Sequence, residues 1–139
     1  MFTAIDTFFD SIKDYGAIFI RLLVGLHLIY GVQDNVLSWD RMLEFRNFLE
    51  AHHFALPLFC AILSVYAQLI CGVLFIIGAF ARIAAGVMII NFLLALLSIH
   101  LGDSYPQAFP ALAMLAGSLL LLFNGAGSWS ADSYRKKLN

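Results

Sequence analysis

Four polar residues stand inside long apolar stretches of the sequence, where polar side chains are uncommon: His27, Gln68, Asn91 and Ser118. A polar group surrounded by apolar atoms is costly unless it forms hydrogen bonds, so each of the four is a candidate for a functional role. Histidine is the only one of these types that titrates near neutral pH. Its neutral ring can donate a hydrogen bond to the polar head of a ligand or accept one from it. These four residues are the candidate ligand-binding site.

The composition identifies a lipid bilayer as the surroundings of this chain. Of the 139 residues, 62% are hydrophobic and 12% are charged, and the mean hydropathy is +0.88. Soluble proteins carry roughly a quarter charged residues. A helix needs about 20 apolar residues to cross the hydrocarbon core, and four segments approach that length, at about 17–33, 57–79, 83–101 and 108–124. The sequence thus predicts an all-α integral membrane protein with four spans.

The connections between the spans indicate that the whole chain is one domain, folded as a compact four-helix bundle. The links 80–82 and 102–107 are short, so the spans on either side of each link must run antiparallel. Apolar and charged residues recur at helical spacing in 1–16 and again in 34–56. We expect the first segment to be an amphipathic helix in the membrane interface that leads into the first span. We expect the second to be an outer helix with Ser38 as its N-cap.

The cations are distributed unevenly between the two faces of the predicted bundle. Four spans place both termini on one face, and that face carries six cations against two. They are Lys13, Arg21, Arg82, Arg135, Lys136 and Lys137, against Arg41 and Arg46 in the opposite loops. Positive charge concentrates on the cytoplasmic side of membrane proteins, so we expect cytoplasmic termini and a basic tail at 125–139. Arg21 and Arg82 either extend to the headgroups or contact an anionic lipid or the acidic surface of a partner.

Position along each span predicts that the four polar residues meet. His27 is about the eleventh residue of its span, Gln68 the twelfth, Asn91 the ninth and Ser118 the eleventh. All four therefore fall near the bilayer midplane, whichever way a span runs. Two interpretations stay open. Either the layer lines a pocket that hydrogen-bonds the head of a quinone or another lipid-soluble molecule, or the four residues bond one another and fix the register of the helices.

Several classes of function are excluded by the charge and by the spacing of the reactive residues. The formal charge of −1 leaves no basic stripe that could follow a nucleic acid. Cys60 and Cys71 are eleven residues apart, about 16 Å along a helix and too far for a disulfide, and the sequence has no CxxC. His27 and His100 differ in depth by about 10 Å, which argues against a bis-histidine haem. We expect no metal site, no resident cofactor and no self-contained catalytic motif.

Glycine and arginine residues recur at the ends of the predicted spans. The motifs are Arg21-Leu-Leu-Val-Gly25 with Gly31, Gln68-Leu-Ile-Cys-Gly72, Gly78-Ala-Phe-Ala-Arg82, and Asn124-Gly-Ala-Gly-Ser128 before Ser130-Ala-Asp132. In this order, with a long first loop and a short second one, they resemble the DoxX family of small four-span bacterial membrane proteins. The resemblance covers nearly the whole chain. It departs from the family's pattern at Gln68, where a glutamate is common, and at Cys71, which replaces the first of two glycines.

The resemblance implies a bacterial inner-membrane location and a link to redox chemistry. Some relatives are similar to subunits of a thiosulfate:quinone oxidoreductase, and others are associated with redox-defence complexes. We therefore expect a membrane subunit or partner of a soluble or membrane oxidoreductase, with quinone as its ligand. The alternative is a non-enzymatic protein: a lipid-binding or small permease-like bundle, or a membrane anchor for a soluble partner. Four spans leave little room for alternating access in one chain, so a permease would have to be a homo-oligomer.

Overall fold

The structure, a computed structural model, describes residues 2–138, with Phe2 described by its backbone alone. This part of the chain is built from helices. Their bounds are α1 (Phe2–Leu37), α2 (Trp39–Ala51), α3 (Pro57–Ile77), α4 (Ala81–Ser98), α5 (Tyr105–Asn124) and α6 (Ala131–Leu138). Met1, the first residue of the predicted segment 1–16, and Asn139, the last residue of the predicted tail, lie outside the described residues. The predicted all-α class is confirmed.

Four of these helices, α1, α3, α4 and α5, are long and apolar enough to cross a membrane. Large apolar side chains cover their outer surfaces. Phe19, Leu23, Ile90 and Phe123 are 74%, 62%, 63% and 73% exposed. An apolar surface of this extent is unfavourable in water and favourable against acyl chains, and the helices satisfy their own backbone hydrogen bonds, as a bilayer requires. The chain is therefore a membrane protein with four spans, as the sequence predicts.

The helix α1 runs without interruption from Phe2 to Leu37 and has 36 residues. The sequence predicts an interfacial helix over 1–16 that leads into the first span, and in the structure that segment continues along the axis of the span without a break. At about 1.5 Å per residue the helix is about 54 Å long, well beyond the roughly 30 Å of the hydrocarbon core. Gly16 does not end the helix, because a glycine inside a helix costs only about 1 kcal/mol relative to alanine. The exposed, charged start of α1 therefore projects past the core.

The spans form two closely packed pairs, α1 with α3 and α4 with α5. In the first pair the two backbones nearly touch. A Cβ placed on Gly25 would lie 2.7 Å from the carbonyl oxygen of Gly72, and one placed on Gly72 would lie 2.9 Å from that of Gly25. On another side of α1, a Cβ on Gly117 of α5 would lie 2.6 Å from Cγ2 of Val24. Small residues thus bring α1 against both neighbours at nearly one depth, a common device in membrane bundles.

The helix α2 is the predicted outer helix, and it lies across the ends of α1 and α3. Ser38 is its N-cap, with the side chain accepting a backbone N–H of the first turn at 3.5 Å. Met42 and Leu49 are 1% and 3% exposed, and they pack with Val32 of α1 and Val65 of α3. We call this side of the bundle the loop face. The opposite side, where α1 begins and α6 lies, is the terminal face.

The helix α6 lies in the segment 125–139, for which the sequence predicts only a basic tail. Ser130 is the N-cap of α6, because its Oγ accepts a backbone N–H of the first turn at 3.1 Å. The carboxylate of Asp132 accepts the backbone N–H groups of Phe80 and Ala81, both at 2.9 Å, which caps the start of α4. The tail is therefore folded against the turn between α3 and α4. The serine before the Ala-Asp pair is the local signal for this helix.

The substitution Gly72→Ala is expected to destabilise the bundle. The added Cβ would lie 2.8 Å from Cγ1 of Ile29 and 2.9 Å from the Gly25 carbonyl oxygen, so α1 and α3 must separate. Overpacking of this kind costs about 1–3 kcal/mol, which SDS-induced unfolding would detect as a lower midpoint. Gly86→Ala is the matched control, since a Cβ there meets nothing within 4 Å. Equal midpoints for the two variants would contradict the close approach.

Candidate functional site

A cavity of about 550 Å³ lies in the loop-face half of the bundle. Five helices, α1 to α5, contribute to its wall. Its polar lining residues are His27, Ser64, Gln68, Asn91, His100 and Gln107, and its larger apolar ones include Phe45, Phe48, Phe54, Phe92 and Met114. The volume falls within the roughly 300–1,000 Å³ of small-molecule sites, and a mostly apolar wall with a few polar groups is typical of them. The cavity is the candidate binding site.

The polar part of the wall is a chain of hydrogen bonds between α3 and α4. The Nε2 of Gln68 donates to the Oγ of Ser64 at 3.1 Å, and that hydroxyl donates to the Oδ1 of Asn91 at 2.8 Å. Ser64 joins the two predicted residues and is not itself among the residues that the sequence predicts for the site. Its position four residues before Gln68, on the same helix face, is the signal that could have found it. The Oε1 of Gln68 and the Nδ2 of Asn91 take no part in these two hydrogen bonds, so they are available to a ligand.

His27 contributes to the same cavity from α1. The helices α1 and α3 run antiparallel and touch where Gly25 faces Gly72. Towards the loop face, His27 lies two residues beyond Gly25, which is about 3 Å along α1. In the same direction Gln68 lies four residues from Gly72, which is about 6 Å along α3. The two side chains are therefore within about one helical turn in depth. His27 is exposed, so its ring stands at the edge of the cavity and not within the packed core.

The cavity is accessible from the lipid side. Leu63 of α3 and Ile90 and Leu94 of α4 all line it. These side chains are 56%, 63% and 53% exposed, so they also belong to the outer surface of the bundle. Because this surface faces acyl chains in a membrane, the wall between α3 and α4 offers a lateral entrance. Such an entrance suits a ligand that is dissolved in the bilayer.

The loop-face end of the cavity is bordered by α2 and by the turn after α4. His100 lines this end, and its Nδ1 lies 2.7 Å from the Oδ2 of Asp103. Cys60 also lines the cavity, while Cys71 is buried in the core, and both are free thiols. In residues 2–138 no group of three His, Cys, Asp or Glu side chains is arranged to hold a metal ion. The polar chemistry of the site is therefore that of neutral amides, a hydroxyl and imidazoles.

Ser118 is the predicted residue that the structure separates from the other three. It is fully buried but does not line the cavity. It follows Gly117, which packs against Val24 on the terminal side of the cavity, and its Oγ has no hydrogen-bond partner among the described residues. Counting along the span gives the depth of a residue but not the side of the helix on which it lies. The polar layer predicted from depth therefore contains three cavity residues and one core residue.

Arg21, predicted as an anion or partner contact, is 3% exposed. Its Nη1 donates to the carbonyl oxygen of Ala126 at 2.7 Å, and its Nη2 donates to that of Trp129 at 3.1 Å. Both carbonyls belong to the turn between α5 and α6. A guanidinium suits this position because its planar fork donates several N–H groups in fixed directions. Arg21 therefore fastens the turn to α1.

Arg82, the other predicted cation, is exposed near the start of α4. Its Nη2 donates to the carbonyl oxygen of Phe123 at 3.2 Å. It lines a second cavity, which lies on the terminal face and also contains the cations of α6. The structure thus leaves Arg82 accessible to an anion, whereas Arg21 is occupied by backbone carbonyls.

These features define an α-helical membrane protein with four spans, an outer helix and an internal cavity open to lipid. The sequence model of the DoxX family matches residues 15–101, more than half of the chain. The chain therefore belongs to the DoxX family. The matched range extends from α1 into the turn after α4, so it includes His27, Gln68 and Asn91. No curated protein and no solved structure matches the chain.

The substitution Arg21→Gln is expected to loosen the turn between α5 and α6. Hydrogen bonds to charged groups contribute about 1.5–3 kcal/mol each, and this change removes two of them, a buried one to Ala126 and a partly buried one to Trp129. Hydrogen exchange followed by mass spectrometry should show faster exchange in 126–138 and unchanged exchange in α3. Arg41→Gln, on the exposed side of α2, is the matched control. Identical exchange in 126–138 for Arg21→Gln and the wild type would contradict the fastening role.

The substitution Ser118→Ala is expected to raise the stability of the bundle slightly, by about 1 kcal/mol. It removes a buried hydroxyl that has no partner, and alanine has the higher helix propensity. The midpoint of SDS-induced unfolding would measure the change. A lower midpoint would contradict this expectation and would show that the hydroxyl forms a hydrogen bond in the core.

Proposed function

We propose that the loop-face cavity binds the head of a quinone and that the chain is a membrane subunit or partner of an oxidoreductase that uses quinone. The observation that carries the proposal is the hydrogen-bonded wall of Gln68, Ser64 and Asn91 inside an apolar cavity with a lateral entrance. A quinone is an amphiphile of matching form. It has a small ring with two carbonyl acceptors and an apolar tail that keeps it in the bilayer.

The hydrogen-bonding groups of the cavity complement a quinone head. The Nδ2 of Asn91 has N–H groups to donate to one carbonyl oxygen. The ring of His27, at the edge of the cavity, can donate to the other from a different helix, because a neutral imidazole carries one N–H. In an apolar cavity each such bond is worth more than in water, since an unsatisfied polar group there is costly. The aromatic rings of Phe45 and Phe92 supply apolar surface for the ring of the ligand.

The lateral entrance accounts for the tail of the ligand. Leu63, Ile90 and Leu94 line the cavity and are exposed on the outer surface. With its head held by Asn91 of α4 and His27 of α1, a quinone would extend its tail past these side chains into the lipid. The ligand would then enter and leave without crossing water.

The redox step in this proposal requires a partner. Reduction of a quinone takes two electrons and two protons, and the sequence predicts no resident cofactor that could deliver the electrons. They would come from a soluble or membrane oxidoreductase in contact with this chain. The chain itself would bind the quinone, orient its head and keep water away from it.

The proposal is tested by measuring the quinone that the protein retains. The protein would be purified in mild detergent and its bound quinone extracted and counted by liquid chromatography and mass spectrometry. Asn91→Leu should lower the quinone per protein roughly tenfold, which corresponds to one lost hydrogen bond at a buried site. Gln68→Leu should lower it by a smaller factor, because Gln68 acts through the hydrogen bond that it donates to Ser64. His27→Leu should lower it as well. Gln33→Leu is the matched control, since Gln33 is exposed and does not line the cavity.

The same measurement separates the alternatives. Quinone retained equally by all variants would contradict the site. If no variant and no wild-type sample retains quinone, and a soluble oxidoreductase co-purifies with each of them, the protein is a membrane anchor instead. If a phospholipid takes the place of the quinone and is lost in the same variants, the cavity belongs to a lipid-binding bundle.

A further inference from the structure

A second cavity, of about 500 Å³, lies on the terminal face between the start of α4, the end of α5 and α6. Its wall contains the backbone of the glycine-containing turn 124–128 and charged side chains from three elements. The cationic ones are Arg82, Arg135, Lys136 and Lys137, and the acidic ones are Asp14 and Asp132. The cations of the tail, whose number indicates topology in the sequence, thus lie together with Arg82 at one concave site.

The two carboxylates do not cancel the positive charge of this cavity. Asp132 is occupied, because its two oxygens accept the backbone N–H groups of Phe80 and Ala81 at 2.9 Å, and Arg135 lies 3.6 Å from it. Asp14 is 3.5 Å from the hydroxyl of Ser128. Four cations therefore face two carboxylates. One of the two, Asp132, is already occupied by backbone N–H groups. An excess of positive charge remains.

The donors of the cavity are suited to a phosphate group. Arg82 uses one N–H for the carbonyl oxygen of Phe123, and a guanidinium has five N–H groups, so a fork remains that can bind two phosphate oxygens. Lys136 and Lys137 are exposed cations that line the cavity. The amide N–H groups of Gly127 and Ser128, in the turn that forms the wall, have no acceptor within residues 2–138. Backbone amides of such turns are frequent phosphate donors.

Apolar side chains continue from this cavity along the membrane-facing surface. Ile83, Phe123 and Trp129 are 67%, 73% and 74% exposed, and Ile83 also lines the cavity. Phe123 lies at the end of α5, next to Arg82. Tryptophan is enriched at the level of the headgroups, so Trp129 marks the depth of the cavity as interfacial. A cationic site at this depth, with acyl-facing side chains beside it, matches the shape of a phospholipid.

We propose that the terminal-face cavity binds the phosphate of an anionic phospholipid, with the acyl chains along Ile83 and Phe123. Arg82, Lys136 and Lys137 hold the phosphate and the net negative charge of the headgroup. The occupied site connects the ends of α4, α5 and α6. This inference is independent of the quinone site, which lies in the other half of the bundle.

The proposal is tested by titrating the purified full-length protein with defined lipids in detergent and counting bound lipid by native mass spectrometry. Dioleoyl phosphatidylglycerol should bind at least tenfold more tightly than dioleoyl phosphatidylcholine. Arg82→Gln should weaken the phosphatidylglycerol complex roughly fivefold, which is the contribution of one cation near a membrane surface. Lys136→Gln together with Lys137→Gln should weaken it further, and added salt should reduce the difference between the lipids.

Controls separate the lipid from other sources of phosphate and from misfolding. Arg41→Gln, which removes a cation from the loop face, should bind phosphatidylglycerol as the wild type does. Inorganic phosphate at millimolar concentration should not displace the lipid. Displacement by inorganic phosphate would overturn the lipid assignment, and equal binding of the two lipids would overturn the site. Lys136 and Lys137 are exposed, so their double variant tests the site even where Arg82→Gln unfolds the chain.

Discussion

The close approach of α1 to α3 and α5 is the constraint on which the rest of the structure depends. Gly25 and Gly72 bring two backbones together, and Gly117 makes room for Val24 at nearly the same depth. Lipid offers helices little hydrophobic reason to associate, so contacts between small residues must hold them together. On the loop side of this contact, α2 packs across α1 and α3. The cavity lies between the glycine contact and the contact made by α2, and these two contacts keep its walls from collapsing onto each other.

Helix geometry explains how much of the site the sequence predicts. The rise per residue is fixed, so the depth of Gln68 and Asn91 follows from counting, and the structure brings these two residues together through Ser64. Rotation about the helix axis is not fixed by counting, because every exposed position of an apolar helix looks alike in sequence. Ser118 therefore has the predicted depth but lies in the core, and His27 lies at the edge of the cavity.

The terminal face shows a different limit of sequence reasoning. The spans and α2 depend on local patterns, which a sequence displays directly. The position of α6 depends on bonds between residues that are far apart in the chain, such as those from Arg21 to Ala126 and Trp129. The composition of 125–139 indicates only a basic tail. Arg21, a charged residue about one turn into the predicted apolar span, is the sign of such a bond in the sequence, because burial of a guanidinium requires acceptors.

The hydrogen-bonded part of the loop-face cavity consists of two amides and a hydroxyl, which limits the ligands it can bind. At position 68 the chain has an amide, whereas a buried carboxylate there would require a counter-ion or a proton. The amide requires neither, and its Nε2 is satisfied by Ser64. With Asn91 as the other amide, the wall has no formal charge with which to bind an ion away from water. Binding must then come from neutral hydrogen bonds and apolar surface, which favours an uncharged lipid-soluble molecule such as the quinone that we propose.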